Sequence, residues 1–136
     1  MMTIRNYGLV FLFLSTSFAL ADGVTHDQEN LTYWLKTMKS HPLELVRKNA
    51  AKMLGSIADK RTLNVLIEGL KDPAPSVRQE VSTSLGNMVD PRAIPALEDV
   101  ADRDPDPEVR KRAKNALGKI QKRKEFDKAK RGDDSV

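Results

Sequence analysis

No cysteine occurs in the 136 residues, aromatics make up 5% of them, and there are only two histidines. The first absence removes disulfides, thiolate nucleophiles and cysteine-ligated metal clusters. The second leaves no interleaved aromatic faces on which unpaired nucleic-acid bases could stack, so nucleic acid is not an expected partner. The histidines, His26 and His41, stand at no metal-binding spacing from a glutamate. No metal or other cofactor is therefore expected. Ser82, Thr83 and Ser84 are consecutive hydroxyls without a base beside them, and a nucleophile needs one within hydrogen-bond reach. This inventory yields no catalytic residues and predicts a chain without enzymatic activity.

Long apolar runs are equally scarce. The single example opens the chain, from Leu9 to Leu20, with Arg5 before it and Ala19-Leu20-Ala21 at its end. A positive start, a short apolar stretch and a small-x-small site describe a secretory signal peptide over residues 1–21, cleaved near Ala21. About a dozen apolar residues fall short of the roughly 18 needed to span a membrane. The expected localisation is exported, either periplasmic or secreted. The missing cysteines favour a bacterial envelope over a eukaryotic secretory route.

Regular repetition dominates the rest. Val46-Arg47, Val77-Arg78 and Val109-Arg110 recur at steps of 31 and 32 residues, and so do Leu54-Gly55, Leu85-Gly86 and Leu117-Gly118. A period in that range signals stacked structural repeats. Helical spacing is visible within each unit. Leu45, Val46, Ala50, Met53, Leu54 and Ile57 form one stripe, and Leu63, Leu66, Ile67 and Leu70 a second. The next unit repeats the pair with Val77, Val81, Leu85 and Met88, then Ile94, Leu97, Val100 and Ala101. Asp59 and Asp90-Pro91 suit helix starts. Ahead of the repeats, Leu31, Trp34, Leu35 and Met38 line one face of a helix within 22–41, entered through a Thr25–Gln28 capping box. That helix is expected to cap the stack, with Trp34 in its core.

The run Asp72-Pro73-Ala74-Pro75-Ser76-Val77-Arg78, then Leu85-Gly86, then Asp90-Pro91-Arg92-Ala93-Ile94-Pro95-Ala96-Leu97, resembles the HEAT repeat in its short phycobilisome-lyase-like form. The likeness extends from about Pro42 to Ile120. It implies an all-α fold, a short right-handed α-solenoid of helix pairs, with units near 42–72, 73–104 and 105–121. It implies that the second helices line a concave surface. It also implies a hydrogen-bonded ladder between units, built by position from Arg47, Arg78 and Arg110 with Asp59 and Asp90. Some helical-repeat proteins are iron hydroxylases with repeated His-Glu pairs, and this chain has no His-Glu dipeptide. The third unit departs from the pattern. Lys122 stands where the next N-cap aspartate belongs, and Arg123 to Arg131 keeps only Phe126 and Ala129 as apolar residues. The first helix of that unit is thus expected to run past Gly118 into a basic extension and tail over 122–136.

Two surfaces emerge as candidates. Between Arg110 and Arg131 there are 11 basic and two acidic residues, whereas Asp22 to Val109 holds 11 basic and 15 acidic. The basic docking candidates are Lys119, Lys122, Arg123, Lys124 and Lys128, facing an anionic membrane surface, an acidic protein or simply water. On the concave face, Arg61, Asn64, Glu68 and Lys71 align with Arg92, Pro95, Asp99 and Asp102, a polar groove suited to a protein partner. The sequence therefore predicts an exported, non-catalytic interaction or scaffold module. A peripheral membrane protein docking through Arg110–Arg131 is the alternative, and an accessory lyase-like enzyme ranks last.

Overall fold

The computed structural model describes residues 26–132, with side chains from residue 30 onward. The expected signal segment and the side chains of the expected Thr25–Gln28 capping box lie outside the described residues. The chain divides into two compact units, Met1–Asn30 and Leu31–Val136. Of the first, only the opening of α1 is described, and all packing below lies within the second. The described elements are α1 (His26–Ser40), α2 (Glu44–Ile57), α3 (Lys60–Gly69), α4 (Pro75–Met88), α5 (Ile94–Arg103, entered through the 3-10 turn Pro91–Ala93) and α6 (Pro107–Lys130). The fold is an all-α solenoid.

Local chemistry sets the helix ends. Pro75, Pro95 and Pro107 occupy first turns, where no backbone N–H is missed. The Asp59 and Asp90 carboxylates accept from the N–H groups of Arg61 and Arg92, at 2.8 and 2.9 Å. Ala58 and Val89 end α2 and α4 in the left-handed conformation, at φ 51° and 49°. Neither is glycine, so each turn carries strain of roughly 1 kcal/mol.

Two layers result. In the first layer α4 packs between α2 and α6, while α3 packs on α2 and α4, and α5 on α6. Leu54, Leu63, Leu66, Val77, Val81, Leu85, Leu97, Val109 and Ile120 are fully buried between the layers. Each contributes about 1.5–3 kcal/mol through removal from water. From α1, Leu31 and Met38 join this core, with Trp34 and Leu35 packed half-buried against it.

The Leu-Gly steps explain how closely the first layer packs. A methyl group added at Gly55 would meet Ser84 Cβ at 2.5 Å, and one at Gly86 would meet Ala116 Cα at 2.8 Å. Glycine is there to let the neighbouring helix approach. One expectation fails at the outer side of α2: Leu45, Met53 and Ile57 are 63, 40 and 40% exposed. No described first-layer helix precedes α2, so only its Ala50, Ala51, Leu54 and Gly55 are buried.

Candidate functional site

The repeated arginines build a ladder, and it differs from the expected one. Arg47 donates through Nε and Nη2 to the two Asp72 carboxylate oxygens at 2.7 and 2.9 Å. Arg78 grips Asp104 at the same two distances. The third fork atom of each is pinned on the backbone. Arg47 Nη1 donates to the His41 and Pro42 carbonyls, Arg78 Nη1 to those of Asp72 and Pro73, and Arg110 Nη1 to those of Asp104 and Pro105. Asp59 and Asp90 take no part in this ladder, which corrects their expected role. They instead bind Arg61 and Arg92 two residues on, at 2.9 and 2.7 Å. The reason is distance. Ten helical residues of α2 lie between Arg47 and Asp59, about 15 Å along the axis, whereas Asp72 opens the next unit beside Arg47. The signal was present in the Asp-Pro step itself.

The carboxylates in this ladder are held ionised. Burial pushes the Asp72 and Asp104 carboxyls up, but their arginine and backbone N–H bonds outweigh it and hold both below the ordinary aspartate range. Hydrogen bonds to the same aspartates raise Arg47 and Arg78 against the opposing effect of burial. Asp59, bonded by the Arg61 side chain and N–H, falls to about 2. His41 stands where Asp72 and Asp104 stand in later units. Its Nδ1 accepts from the Leu43 N–H at 3.2 Å, as Asp72 does from Ala74 and Asp104 from Asp106.

The second helices frame two grooves. Between α3 and α5 lies a cavity of about 480 Å³ with Leu70 and Val100 buried at its floor, Ile67 and Ala96 half-buried, and Lys71, Asp99 and Arg103 at its rim. Between α1 and α3 a cavity of about 340 Å³ has Met38 and Val65 at its floor. The second is crossed by an exposed Lys39–Glu68 ion pair at 3.4 Å, whereas Asp99 pairs within its own helix with Arg103 at 2.9 Å. The α3–α5 groove is therefore the open one. Of the residues expected on this face, Lys71, Pro95 and Asp99 line it and Glu68 lines its neighbour; Arg61, Asn64, Arg92 and Asp102 are exposed outside both. Sequence reasoning missed Lys39 and Arg103, which lie one helix turn from residues it named.

In the basic helix, no described residue beyond Ile120 is buried. Lys119 donates to Asn87 Oδ1 at 2.8 Å and Arg123 pairs with Asp127 at 3.1 Å, while Lys122, Lys124 and Lys128 extend into solvent. No described helix is long and apolar enough to cross a membrane. Among the described residues, no group of three or more His, Cys, Asp or Glu side chains is placed to hold a metal ion.

Residues 31–125 match the family described as HEAT repeats. The chain belongs to the HEAT-repeat family. A deoxyhypusine hydroxylase-B from Oryza sativa subsp. japonica is 41% identical over 64 residues, covering 47% of this chain and 20% of that protein. A deoxyhypusine hydroxylase from Schizosaccharomyces pombe is 37% identical over 68 residues, covering 49% and 21%. A phycocyanobilin lyase subunit alpha from Picosynechococcus sp. is 42% identical over 53 residues, covering 39% and 20%. The chain spans about a fifth of the length of these relatives. All three carry enzyme names, which overturns the expectation of a chain without enzymatic activity. The side-chain inventory could speak only for these 136 residues and for chemistry that needs histidine, cysteine or an activated hydroxyl.

Proposed function

We propose that this HEAT-repeat chain holds a segment of another polypeptide in the α3–α5 groove, as part of an enzymatic or lyase-like reaction. The groove carries the reading. Its apolar floor accepts a side chain of the bound segment, and Lys71, Asp99 and Arg103 offer charges of both signs around it. A cavity of about 480 Å³ lies within the usual range for ligand sites of roughly 300–1,000 Å³. The enzyme names of the relatives support a role in catalysis, with the groove presenting the protein substrate. We further propose that the chain works outside the cytoplasm after loss of residues 1–21, a reading supported by the sequence pattern there. Display selection of random peptides on the immobilised protein tests the groove. Enriched peptides should lose binding to Ala96→Glu and keep it with Asn64→Ala, since Asn64 lies outside both grooves. Enrichment indifferent to Ala96→Glu would sink the proposal.

A second reading rests on the solvent-borne end of α6. Lys122, Lys124 and Lys128 are exposed there beside Phe126, itself 63% exposed. Such a helix can lie against an anionic membrane surface, held by charge more than by apolar contact. Co-sedimentation with phosphatidylglycerol vesicles, lost at high salt and on truncation after Gln121, would favour it. No sedimentation at low salt would exclude it.

A further inference from the structure

The two outer sides of the first layer are unlike, and the α6 side is built to continue the ladder. Arg110 Nη1 donates to the Asp104 and Pro105 carbonyls at 2.7 and 3.2 Å, against 2.8 and 3.2 Å for Arg78 on Asp72 and Pro73. The guanidinium is thus pinned as in the previous unit. There, Nε and Nη2 carry a carboxylate at 2.7 and 2.9 Å. On Arg110 the same two donors have no acceptor among the described residues. One helical turn further on, and one more, come Lys114 and Gly118. At Gly55 and Gly86 the next helix comes so close that no methyl group would fit, whereas at Gly118 an added methyl group meets nothing within 4 Å. Lys111, Lys114 and Lys122 are exposed along α6.

From these three features we infer that the outer side of α6 is a docking site for an acidic helix of a partner protein. The partner's carboxylate, at the turn that opens its helix, takes Nε and Nη2 of Arg110. The helix itself crosses close over Gly118, between the lysines. A bidentate arginine–carboxylate pair fixes orientation as well as adding affinity. A second copy of this chain does not suit the site. The position that would supply its carboxylate is His41, and Leu45, Met53 and Ile57 on the outer side of α2 offer apolar surface to a basic stripe. The inference is independent of the groove between α3 and α5.

The chain supplies the template for a probe. An acetylated peptide of the sequence Asp104 to Lys119 carries the carboxylate and the close-packing Ala116 that seat α6 on α4, and Lys111→Glu, Lys114→Glu and Lys119→Glu within it make it the acidic helix the site calls for. Added to the full chain, it should shift the Arg110 Nε–H and Gly118 amide resonances, with a dissociation constant in the millimolar range. The same peptide with Asp104→Asn should bind at least tenfold more weakly. Arg110→Gln in the protein should do likewise. Because Arg110 also braces the turn before α6, Gly118→Leu provides a second variant: it fills open space with a better helix former, so the melting temperature does not fall and peptide binding goes. Equal binding of the Asp and Asn peptides would overturn the inference. So would tighter binding to phosphatidylglycerol vesicles that survives Gly118→Leu, which assigns the surface to lipid, or concentration-dependent self-association lost in Arg110→Gln.

Discussion

Gly86 sits where an added methyl group would lie 2.8 Å from the Ala116 α-carbon, whereas the same group at Gly118 would touch nothing. The two glycines occupy the same place in the repeat, and their alanine variants should nonetheless move in opposite directions. Gly86→Ala must push α4 and α6 apart and should cost about 1–3 kcal/mol. Gly118→Ala should add about 1 kcal/mol, because alanine is the better helix former and nothing opposes it. For a domain near 100 residues each kcal/mol corresponds to about 4–8 °C in melting temperature, so thermal unfolding resolves both. The ladder offers a sharper lever. The Arg78 and Asp104 side chains are only 10 and 5% exposed. Asp104→Asn leaves the guanidinium buried without its counter-charge and should destabilise by about 3–5 kcal/mol.

The same carboxylates set a pH dependence. Asp72 and Asp104 are held below the ordinary aspartate range in the fold, while an unfolded aspartate titrates near about 3.9. The unfolded chain therefore binds more protons around that pH, and stability rises with pH there. Their contribution is fully present above the unfolded value and is lost as pH falls through the folded ones. Urea unfolding from about pH 5 downward should show a steep loss in the parent chain. In Asp104→Asn the loss over that window should be shallower, since one of the two carboxylates is already gone.

At the scale of the element, α6 behaves as two helices in one. Its first half supplies Val109, Ala113, Ala116 and Ile120 to the core, and its second half supplies nothing. The ten residues from Gln121 to Lys130 project about 15 Å beyond the last buried side chain. A chain ending at Gln121 should accordingly melt within about 2 °C of the parent, because no buried contact is removed. A larger drop would mean that the basic segment folds back on the repeats. The degeneracy of this unit was readable from Lys122 and from the thinning of apolar residues after Ile120. The exposure of Leu45, Met53 and Ile57 was not readable. Periodicity marks which face of a helix is apolar but not whether a neighbour covers it, and α2 has none among the described residues on that side.

Across the whole molecule, the stack of helix pairs follows from the Val-Arg and Leu-Gly steps, because a repeat forces each unit to bury the same positions. The pairing inside the ladder was harder to read. Asp59 and Asp90 recur at the right interval, yet periodicity cannot distinguish a residue that joins two units from one that caps a helix within its own. Only the backbone path brings Asp72 to Arg47 and Asp104 to Arg78. The groove was half legible. Its rim came from aligning Lys71, Pro95 and Asp99, but Ile67, Leu70 and Val100 were assigned to packing, and only the spacing of α3 and α5 opens a cavity over them. An inventory of reactive side chains could not test the proposed part in catalysis, which works by holding a substrate. Binding of selected peptides to the parent chain and to Ala96→Glu, measured side by side by calorimetry, decides whether this groove is the site. A loss of at least tenfold in affinity with an unchanged melting temperature is the predicted result, and equal affinity for the two proteins would contradict it.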